Sequence, residues 1–284
     1  MKEQLTSWMY LLWPWVFYGT IVLIMAIEQI APRKKYEYSR ISRWIGNAGI
    51  YVLVQLVFKL FPVLAAIGFA HIAQENSWGL FNLVTAPYVL VFLASFVIFD
   101  YFHYLKHRFF HSIQVLWNAH RLHHSDPEID ATTELKHHPL EALFSAIINV
   151  GVIFIFGLDA FALLTYLFLF SVISPLSHAN IELPAVLEKG LRWLIVTPDM
   201  HRIHHSSYQP ETNSNYGVFL SVWDRVFGTY VQVPRGGHEN IQLGLDEFRD
   251  SKDLLLHNML LNPFADIEAR RAELEDASAE NYEK

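Results

Sequence analysis

Residues 85–124 read TAPYVLVFLASFVIFDYFHYLKHRFFHSIQVLWNAHRLHH. The first half, Thr85–Leu105, is an apolar run of about 20 residues, which is the length that a helix needs to cross a bilayer. The second half carries histidines three and four positions apart, and these spacings put side chains on one face of a helix. The stretch therefore predicts a membrane helix whose end presents several imidazoles to one point.

The histidine pattern occurs twice in the chain. The motif His-x-x-His-His occupies residues 120–124 and again residues 201–205, and only the histidines at 71, 238 and 257 lie outside the segment 103–205. A lone histidine is usually a surface or hydrogen-bonded residue, whereas imidazoles gathered at this density suit iron, zinc, copper or nickel. The predicted metal ligands are His107, His111, His120, His123, His124, His138, His178, His201, His204 and His205.

Several residues near these ligands have more than one reading. His103 and His137 are explained at least as well as surface residues, or as neighbours that bond to a ligand, as they are as ligands, so we do not assign them. Asp100 precedes His107 by two helical turns, which suits a carboxylate that accepts a ring N–H from a ligand histidine. An interfacial charge that pairs with a nearby cation explains it equally well. Glu141 and Asn180 are weaker candidates for the same supporting role.

The composition is that of a membrane protein. Hydrophobic residues make up 52% of the 284 residues and charged residues only 17%, and the mean hydropathy is +0.22. A soluble domain usually carries about a quarter charged residues. The chain has no cysteine, which excludes disulfides, thiolate metal sites and iron–sulfur clusters held by this chain. The formal charge of −7 is concentrated near the C-terminus, and nothing in the sequence indicates nucleic-acid binding.

Apolar runs of spanning length predict about four to five membrane helices. The runs are Trp8–Ile30, Gly49–Ala70, Thr85–Leu105, Leu140–Leu158 and Ala160–Ser177. Lys59 and Pro62 interrupt the second run, which is therefore either a full crossing or a re-entrant segment. The first run is too long for a signal-peptide core and lacks a small-residue cleavage site, so we expect it to be retained.

The distribution of Lys and Arg orients these spans. The first loop contains Arg33, Lys34 and Lys35, whereas residues 71–84 contain no Lys or Arg. The positive-inside rule then places the first loop in the cytoplasm and, by counting spans, all three histidine clusters on the same side. We predict an all-α integral membrane bundle with a cytoplasmic helical cap that carries a histidine-rich dimetal site. A single domain is expected at 1–262, with its histidine-motif region at 100–230, followed by an acidic tail at 263–284.

The chain resembles the fatty acid hydroxylase/sterol desaturase superfamily of membrane oxygenases, and among its members the broad bacterial branch. The motifs that carry the resemblance are Asp100-x-x-x-Tyr104-x-x-His107-Arg108-x-x-His111, Trp117-x-x-His120-x-x-His123-His124-Ser125-Asp126, His138-Pro139-x-Glu141, His178-x-Asn180, Thr197-Pro198-Asp199-Met200-His201-x-x-His204-His205-Ser206, Asn215-Tyr216-Gly217 and Trp223-Asp224-Arg225-x-Phe227-Gly228-Thr229-Tyr230. They cover nearly half of the chain in the family's order.

The resemblance implies a membrane-bound, O2-dependent, non-haem di-iron enzyme, with zinc as a possible substitute metal. It implies hydroxylation or desaturation of a C–H bond in a fatty acyl, sterol or related lipid. The same ten histidines match the family's ligand positions. Where some hydroxylases of the family carry a second histidine four residues after the one that matches His178, this chain has Glu182. This departure leaves the tenth ligand open, and His138 can substitute.

The chain carries no motif for a nicotinamide, haem or iron–sulfur cofactor. Electrons would therefore come from a separate ferredoxin, cytochrome b5 or flavin reductase. Lys106, Arg108, Arg121 and Arg202 could form its docking surface or could equally be interface anchors. Trp223-Asp224-Arg225 and Asn215-Tyr216-Gly217 are interpreted as structural closure beside the site.

Two other classes of protein combine these features. A membrane metal transporter would hold its ligands at mid-membrane on broken helices, whereas the clusters here lie beyond the span ends. A zinc hydrolase would be expected to carry His-Glu-x-x-His or a catalytic Glu next to a cluster, and the sequence has neither. We expect an integral, multi-pass protein, of the inner membrane if the chain is bacterial.

Overall fold

The computed structural model describes residues 2–282, and the side chains of residues 3–276. Within that part the chain is helical, apart from isolated β-bridges that pair Ile195 with Leu220 and Ser206 with Leu243. The α-helices are α1 (Lys2–Ile30), α2 (Arg40–Leu60), α3 (Ala66–Glu75), α4 (Leu80–Leu83), α5 (Tyr88–Ser112), α6 (Gln114–His124), α7 (Pro139–Phe156), α8 (Ala160–Ser177), α9 (Ala185–Leu191), α10 (Pro198–His204), α11 (Gln209–Thr212), α12 (Val222–Val226), α13 (Leu256–Leu261) and α14 (Ile267–Tyr282). Short 3₁₀ turns lie at Pro62–Leu64, Ala131–Leu135, Asp246–Phe248, Ser251–Leu254 and Asn262–Phe264.

Five of these helices are long and apolar enough to cross a membrane: α1, α2, α5, α7 and α8. The chain is therefore a multi-pass membrane protein. Large apolar side chains on α1 remain exposed, including Trp8 at 60% and Trp15 at 74%, as expected for a helix that faces lipid. α8 is the most enclosed of the five and packs against α1, α3 and α5.

The predicted second span, Gly49–Ala70, is wrong in its position. The helix begins earlier, at Arg40, and ends at Leu60, because Pro62 lacks an N–H and cannot continue the hydrogen-bond ladder. The chain then turns through Pro62–Leu64 and starts a new helix, α3, whose ten residues are too short to span a bilayer. The other four predicted spans overlap their helices closely.

Residues 113–138 and 178–264 form a layer of short helices and loops at one end of the bundle, which we call the cap. Glu28, at the end of α1, is fully buried there and accepts the backbone N–H groups of Ala131 and Asn180 at 3.0 and 2.7 Å. One carboxylate thus ties two cap segments to the first span.

The predicted all-α architecture and the predicted histidine-rich cluster are confirmed. The cytoplasmic location of the cap stays a prediction.

The predicted acidic tail contains a helix that partly packs on the cap. Arg270 of α14 donates to Asp253 at 3.0 Å and to the carbonyl of Glu247 at 2.9 Å. The boundary at residue 262 stays a prediction. Residues 283 and 284 of the predicted tail lie outside the described residues, as do the side chains from residue 277 onward.

Two glycines lie where the loop between α3 and α4 meets the turn between α7 and α8, at the end of the bundle away from the cap. Gly157 closes α7 with a left-handed backbone, φ 64°, and Gly79 begins α4 with φ 87°. A Cβ on Gly157 would lie 2.5 Å from Nδ2 of Asn82 and 2.6 Å from the carbonyl oxygen of Trp78. The loop between α3 and α4 therefore packs directly on the turn between α7 and α8.

We expect Gly157→Ala to lower the free energy of unfolding by about 1–3 kcal/mol, since alanine in the left-handed region is strained and its methyl group would also meet the Trp78 carbonyl. The control is Gly151→Ala, in the middle of α7, where an added Cβ meets nothing within 4 Å. That change should be neutral or stabilise by up to about 1 kcal/mol. Thermal unfolding in detergent measures both. Equal midpoints for Gly157→Ala and the parent protein would contradict the packing described.

Candidate metal centre

The structure brings nine of the ten predicted ligands together. The first group contains His107, His111, His120, His124 and His204, and the second contains His123, His178, His201 and His205. Within each group the candidate ligand atoms all lie within 4.8 Å of one another. Four elements supply them: the end of α5, the end of α6, the residue that caps α8, and α10 with its capping residue.

The two histidine motifs cross between the groups. Residues four apart on a helix point nearly the same way, whereas a residue three positions on is turned by about 60° to the other side. His120 and His124 therefore enter the first group while His123 enters the second. In the other motif the roles are exchanged, with His201 and His205 in the second group and His204 in the first. Each motif contributes to both groups, so the groups are adjacent, and the rings of His124 and His205 stack at 4.5 Å.

Backbone carbonyls fix which ring nitrogen carries the proton. Nδ1–H of His204 donates to the carbonyl of Ser214 at 2.7 Å, and Nδ1–H of His178 donates to the carbonyl of Ser174 at 2.8 Å. Burial lowers the pKa of both histidines to about 3, so both rings are neutral at pH 7. A neutral ring with its proton on Nδ1 has a free lone pair on Nε2. Both lone pairs point into the groups.

In the first group, the unprotonated Nε2 atoms of neighbouring rings face one another, so no hydrogen bond can form between them. Nδ1 of His107 donates to the carbonyl of Tyr216 and Nδ1 of His120 to Glu141, each at 2.8 Å. The Nε2 atom of His107 then lies 3.1 Å from Nε2 of both His120 and His204. Neutral rings in these tautomers repel at this distance unless a cation lies among them.

The donor set fits a transition metal. All nine converging side chains are imidazoles, which suit iron, copper, nickel and zinc rather than magnesium or calcium. Both ring nitrogens of His111 are buried and, among the described residues, have no hydrogen-bond partner. A buried polar atom without a partner is costly, and a metal bond removes that cost.

Three of the histidines considered in the sequence lie outside the two groups: His103, His137 and His138. His138, predicted as a ligand, instead begins α7: its Nδ1 accepts the N–H of Leu140 at 3.0 Å, and Nε2 faces the carbonyl of Leu260 at 3.3 Å. Pro139 places it in this capping position, which commits its ring to the backbone. His103 bonds the carbonyl of Phe99 at 2.9 Å and stacks on Tyr166.

The three predicted supporting residues differ in their contacts. Glu141 is buried and accepts from Nδ1 of both His120 and His137 at 2.8 Å. Asp100 does not contact a histidine. It accepts from Trp223 Nε1 at 2.6 Å and from the Tyr166 hydroxyl at 3.0 Å, so both sequence interpretations of it were wrong.

Asn180, the third of them, binds the first loop and not a ligand. Its side-chain amide donates to the carbonyl of Lys34 at 2.8 Å, and its Oδ1 accepts from the backbone N–H of Lys34 and from Arg202. Asn180 therefore fastens the loop between α1 and α2 to the cap.

Two further residues support the converging histidines: Glu134, which sequence reasoning missed, and His137, for which it left this role open. Glu134 lies 3.3 Å from Nδ1 of His178, and burial raises the pKa of its carboxyl. His137 stacks on His123, with centroids 4.3 Å apart and planes at 13°. Its pKa is raised by the Glu141 carboxylate, against the opposing effect of its burial. The spacing of four residues between His137 and Glu141 was the available signal, although His137 precedes α7 and lies outside the helix.

The loop at residues 215–217 is held by one carboxylate. Asp224 accepts the backbone N–H groups of Tyr216 and Gly217 at 2.7 and 2.8 Å, and the Tyr216 carbonyl in turn accepts from His107. A Cβ on Gly217 would lie 2.9 Å from Asp224 Oδ2, so only glycine fits this loop without a shift. These contacts give the Trp223-Asp224-Arg225 segment a positioning role for a ligand.

A buried ion cluster holds the segment that follows the first motif. Arg43 of α2 is fully buried and donates to Asp126 at 2.8 Å, to Asp130 at 2.7 Å and to Glu128 at 3.4 Å. Lys136 approaches Asp126 to 3.9 Å. The Arg43 and Lys136 charges lower the pKa of Asp126 to about 2 despite its burial.

A cavity of about 780 Å³ opens onto both groups. His107 and His120 of the first group and His123, His178 and His201 of the second line one part of it. Its remaining walls are largely apolar and come from α1, α2, α3, α7 and α8, including Trp13, Val54, Phe58, Ile67 and Phe170. The cavity therefore connects the histidines with the interior of the membrane-spanning bundle.

The cationic docking surface suggested by the sequence is wrong for three of its four residues. Lys106, Arg121 and Arg202 are buried at 8, 3 and 3% exposure. Arg121 donates to the carbonyl of Asn262 and Arg202 to Asn180. These side chains hold segments of the cap or line the cavity, and only Arg108 is exposed.

Comparison with known proteins finds a family match and several distant relatives. Residues 92–229 match the fatty acid hydroxylase family. An alkylglycerol monooxygenase of Xenopus tropicalis is 28% identical over 190 residues, 65% of this chain and 41% of the relative. An ornithine lipid hydroxylase of Rhizobium tropici is 25% identical over 82% of this chain and 71% of its own length. A sphinganine C4-monooxygenase of Arabidopsis thaliana is 26% identical over 76% and 83%.

These relatives are monooxygenases and hydroxylases that their names assign to lipids. The chain spans less than half the length of the alkylglycerol monooxygenase that it matches. No solved structure gives a significant match to this chain.

We expect Arg43→Met to lower the free energy of unfolding by about 3–5 kcal/mol, because it leaves buried carboxylates without their counter-ion. The control is Arg271→Met, which removes a pair with Glu247 in which the arginine is 57% exposed. Exposed pairs of this kind contribute about 0–1 kcal/mol. Chemical denaturation in detergent measures both. Similar losses for the two variants would show that the buried cluster is not a special support of the cap.

Metal analysis tests whether His111 binds a metal and His138 does not. We expect His111→Ala to lower the bound metal by about half or more, since it removes one imidazole from the five-histidine group. Even residues that only orient a ligand typically change metal affinity by about 10–100-fold when they are mutated. His138→Ala should leave the metal content unchanged, because its ring caps α7. Elemental analysis of the purified proteins tests this. A metal loss confined to His138→Ala would reverse the ligand assignment.

Proposed function

We propose that this chain, whose residues 92–229 belong to the fatty acid hydroxylase family, is a membrane-bound lipid hydroxylase that uses two iron ions and dioxygen. The observation that carries the proposal is the cavity, because a single apolar space reaches both histidine groups from within the membrane-spanning bundle. A lipid chain can then reach the metal site without crossing water. Hydroxylation is preferred to desaturation because the three relatives are hydroxylases and monooxygenases.

The metal ligands in this proposal are the nine converging histidines and exclude His138. One iron would be held by His107, His111, His120, His124 and His204, and the other by His123, His178, His201 and His205. Iron at these positions would supply dioxygen activation and the cleavage of an unactivated C–H bond, which no protein side chain can perform.

The chain's own residues orient the ligands and shape the space for the lipid. The carbonyls of Tyr216, Ser214 and Ser174 hold three imidazoles with the proton on Nδ1. Glu141 holds His120 in the same way. The apolar walls of the cavity exclude bulk water, which protects reactive species from side reactions.

The two alternative classes find less support. A transporter would hold its ions at mid-membrane, whereas seven of the nine histidines lie on the cap and the other two in the last turns of α5. A zinc hydrolase would be expected to carry His-Glu-x-x-His, which the sequence lacks, and Oε1 of Glu141 is engaged by two histidines. Zinc remains a possible substitute metal at these imidazoles.

The electron donor and the location belong to the same proposal. A ferredoxin, cytochrome b5 or flavin reductase would supply electrons, since the sequence has no motif for such a cofactor. The basic loop at residues 33–35 lies on the cap, where Arg33 pairs with Asp199 and the Lys34 backbone bonds Asn180. The positive-inside rule then favours a cytoplasmic cap, on the inner membrane of a bacterium.

Lipid analysis of an expression host tests the proposal. The unaltered chain should produce lipids heavier by one oxygen atom, labelled when the cells receive ¹⁸O₂, while His204→Ala should produce none because it removes a ligand. The control is His257→Ala, an exposed residue outside the groups. Iron restored after chelation should return the activity in membranes, and zinc should not. Undiminished oxidised lipid from His204→Ala would contradict the proposal.

A further inference from the structure

A lysine in the cavity wall plays no part in holding the metal ligands. Lys106 lies on α5, immediately before His107, and is only 8% exposed. Its Nζ donates to Oδ1 of Asn149 on α7 at 3.2 Å, and both residues line the cavity. An ionisable residue within a membrane-spanning helix is costly and usually marks a functional site.

This part of the wall offers donors and few acceptors. The lysine ammonium has three N–H donors and the Asn149 amide has two. Among the described residues, the contact with Asn149 Oδ1 is the one hydrogen bond that either side chain makes. Two N–H groups of Lys106 and the amide of Asn149 are therefore left for a molecule in the cavity. Such a molecule must present acceptor atoms, and a negative charge would also compensate the ammonium.

Glu141 does not serve as the direct partner of this lysine. Its Oε1 atom accepts from His120 and His137. Asn149 follows Glu141 by eight residues on α7, which is about 12 Å along the helix axis. Lys106 donates to Asn149, and among the described residues it forms no ion pair with the Glu141 carboxylate, whose charge acts on it at longer range.

We propose that Lys106 and Asn149 form a subsite for the acidic oxygen group of a lipid, either a carboxylate or a phosphate. This inference rests on the proposed function and names the class of its substrate. Along α7, Asn149 lies about 12 Å beyond Glu141, whose carboxylate accepts from His120 of the first group. The carbon that is oxidised is then separated from the acidic group by a length of hydrocarbon chain, which lies against the apolar walls of the cavity.

Equilibrium binding tests the subsite without any turnover. The metal-loaded protein in phosphatidylcholine nanodiscs is titrated with radiolabelled palmitate, phosphatidate and methyl palmitate. The unaltered protein should bind one or both acidic lipids more tightly than the ester. Lys106→Met should weaken binding of the acidic lipid by about tenfold or more, because it removes the charged hydrogen-bond donor. Its affinity for the ester should stay within about twofold of the parent.

Two further variants separate charge from structure. Lys106→Arg should retain the preference for the acidic lipid, and Lys189→Met, at an exposed position on α9, should bind as the parent does. Metal content confirms that each variant is folded. Whether palmitate or phosphatidate responds to Lys106→Met identifies the source of the acidic group.

Equal affinities of the parent and Lys106→Met for both acids would overturn the subsite, as would a parent protein that binds neither acid or does not distinguish acid from ester. The outcome is independent of catalysis. If the chain bound acidic lipids through Lys106 but oxidised none, the proposed function would fail and the subsite would stand.

Discussion

The whole structure depends on the convergence of neutral imidazoles whose unprotonated nitrogens face one another. Three Nε2 atoms of the first group lie about 3 Å from their neighbours, in rings whose protons are committed to Nδ1 partners. Such an arrangement is unfavourable by itself and becomes favourable when a cation shares the lone pairs. The fold therefore has to supply the energy that holds these rings in place, and to do so from distant parts of the chain.

That energy comes from the cap and its attachment to the spans. Glu28 of α1 and Arg43 of α2 reach into the cap, where they bind the segments that flank the ligands. Asp224 fixes the loop whose carbonyl orients His107. Each of these buried side chains makes at least two hydrogen bonds, so removing one leaves several polar groups without a partner. The ligands are in this way positioned by residues that never touch the metal site.

The sequence predicted which histidines converge better than it predicted their surroundings. Spacings of three and four on a helix are local information, and the histidines of the two motifs with His107 and His111 are brought together as that periodicity suggests. His138 is not among the converging histidines because Pro139 begins α7 there and the His138 ring caps this helix. The predictions for Asp100 were wrong because its hydrogen-bond partners, Trp223 and Tyr166, come from distant parts of the chain. The second span was misplaced because hydropathy continues through Pro62 although the helix does not. The cavity and its Lys106–Asn149 pair depend on helix packing, which no single-segment pattern records.

The crossed contribution of the two motifs links the two groups, since each motif donates to both. The most direct test of this account is X-ray absorption at the iron edge, together with elemental analysis, on protein purified from iron-replete cells. The account predicts two irons per chain, each surrounded by imidazole nitrogens, with mutual scattering between the metals. One metal per chain, or iron bound mainly by carboxylate oxygens, would contradict it.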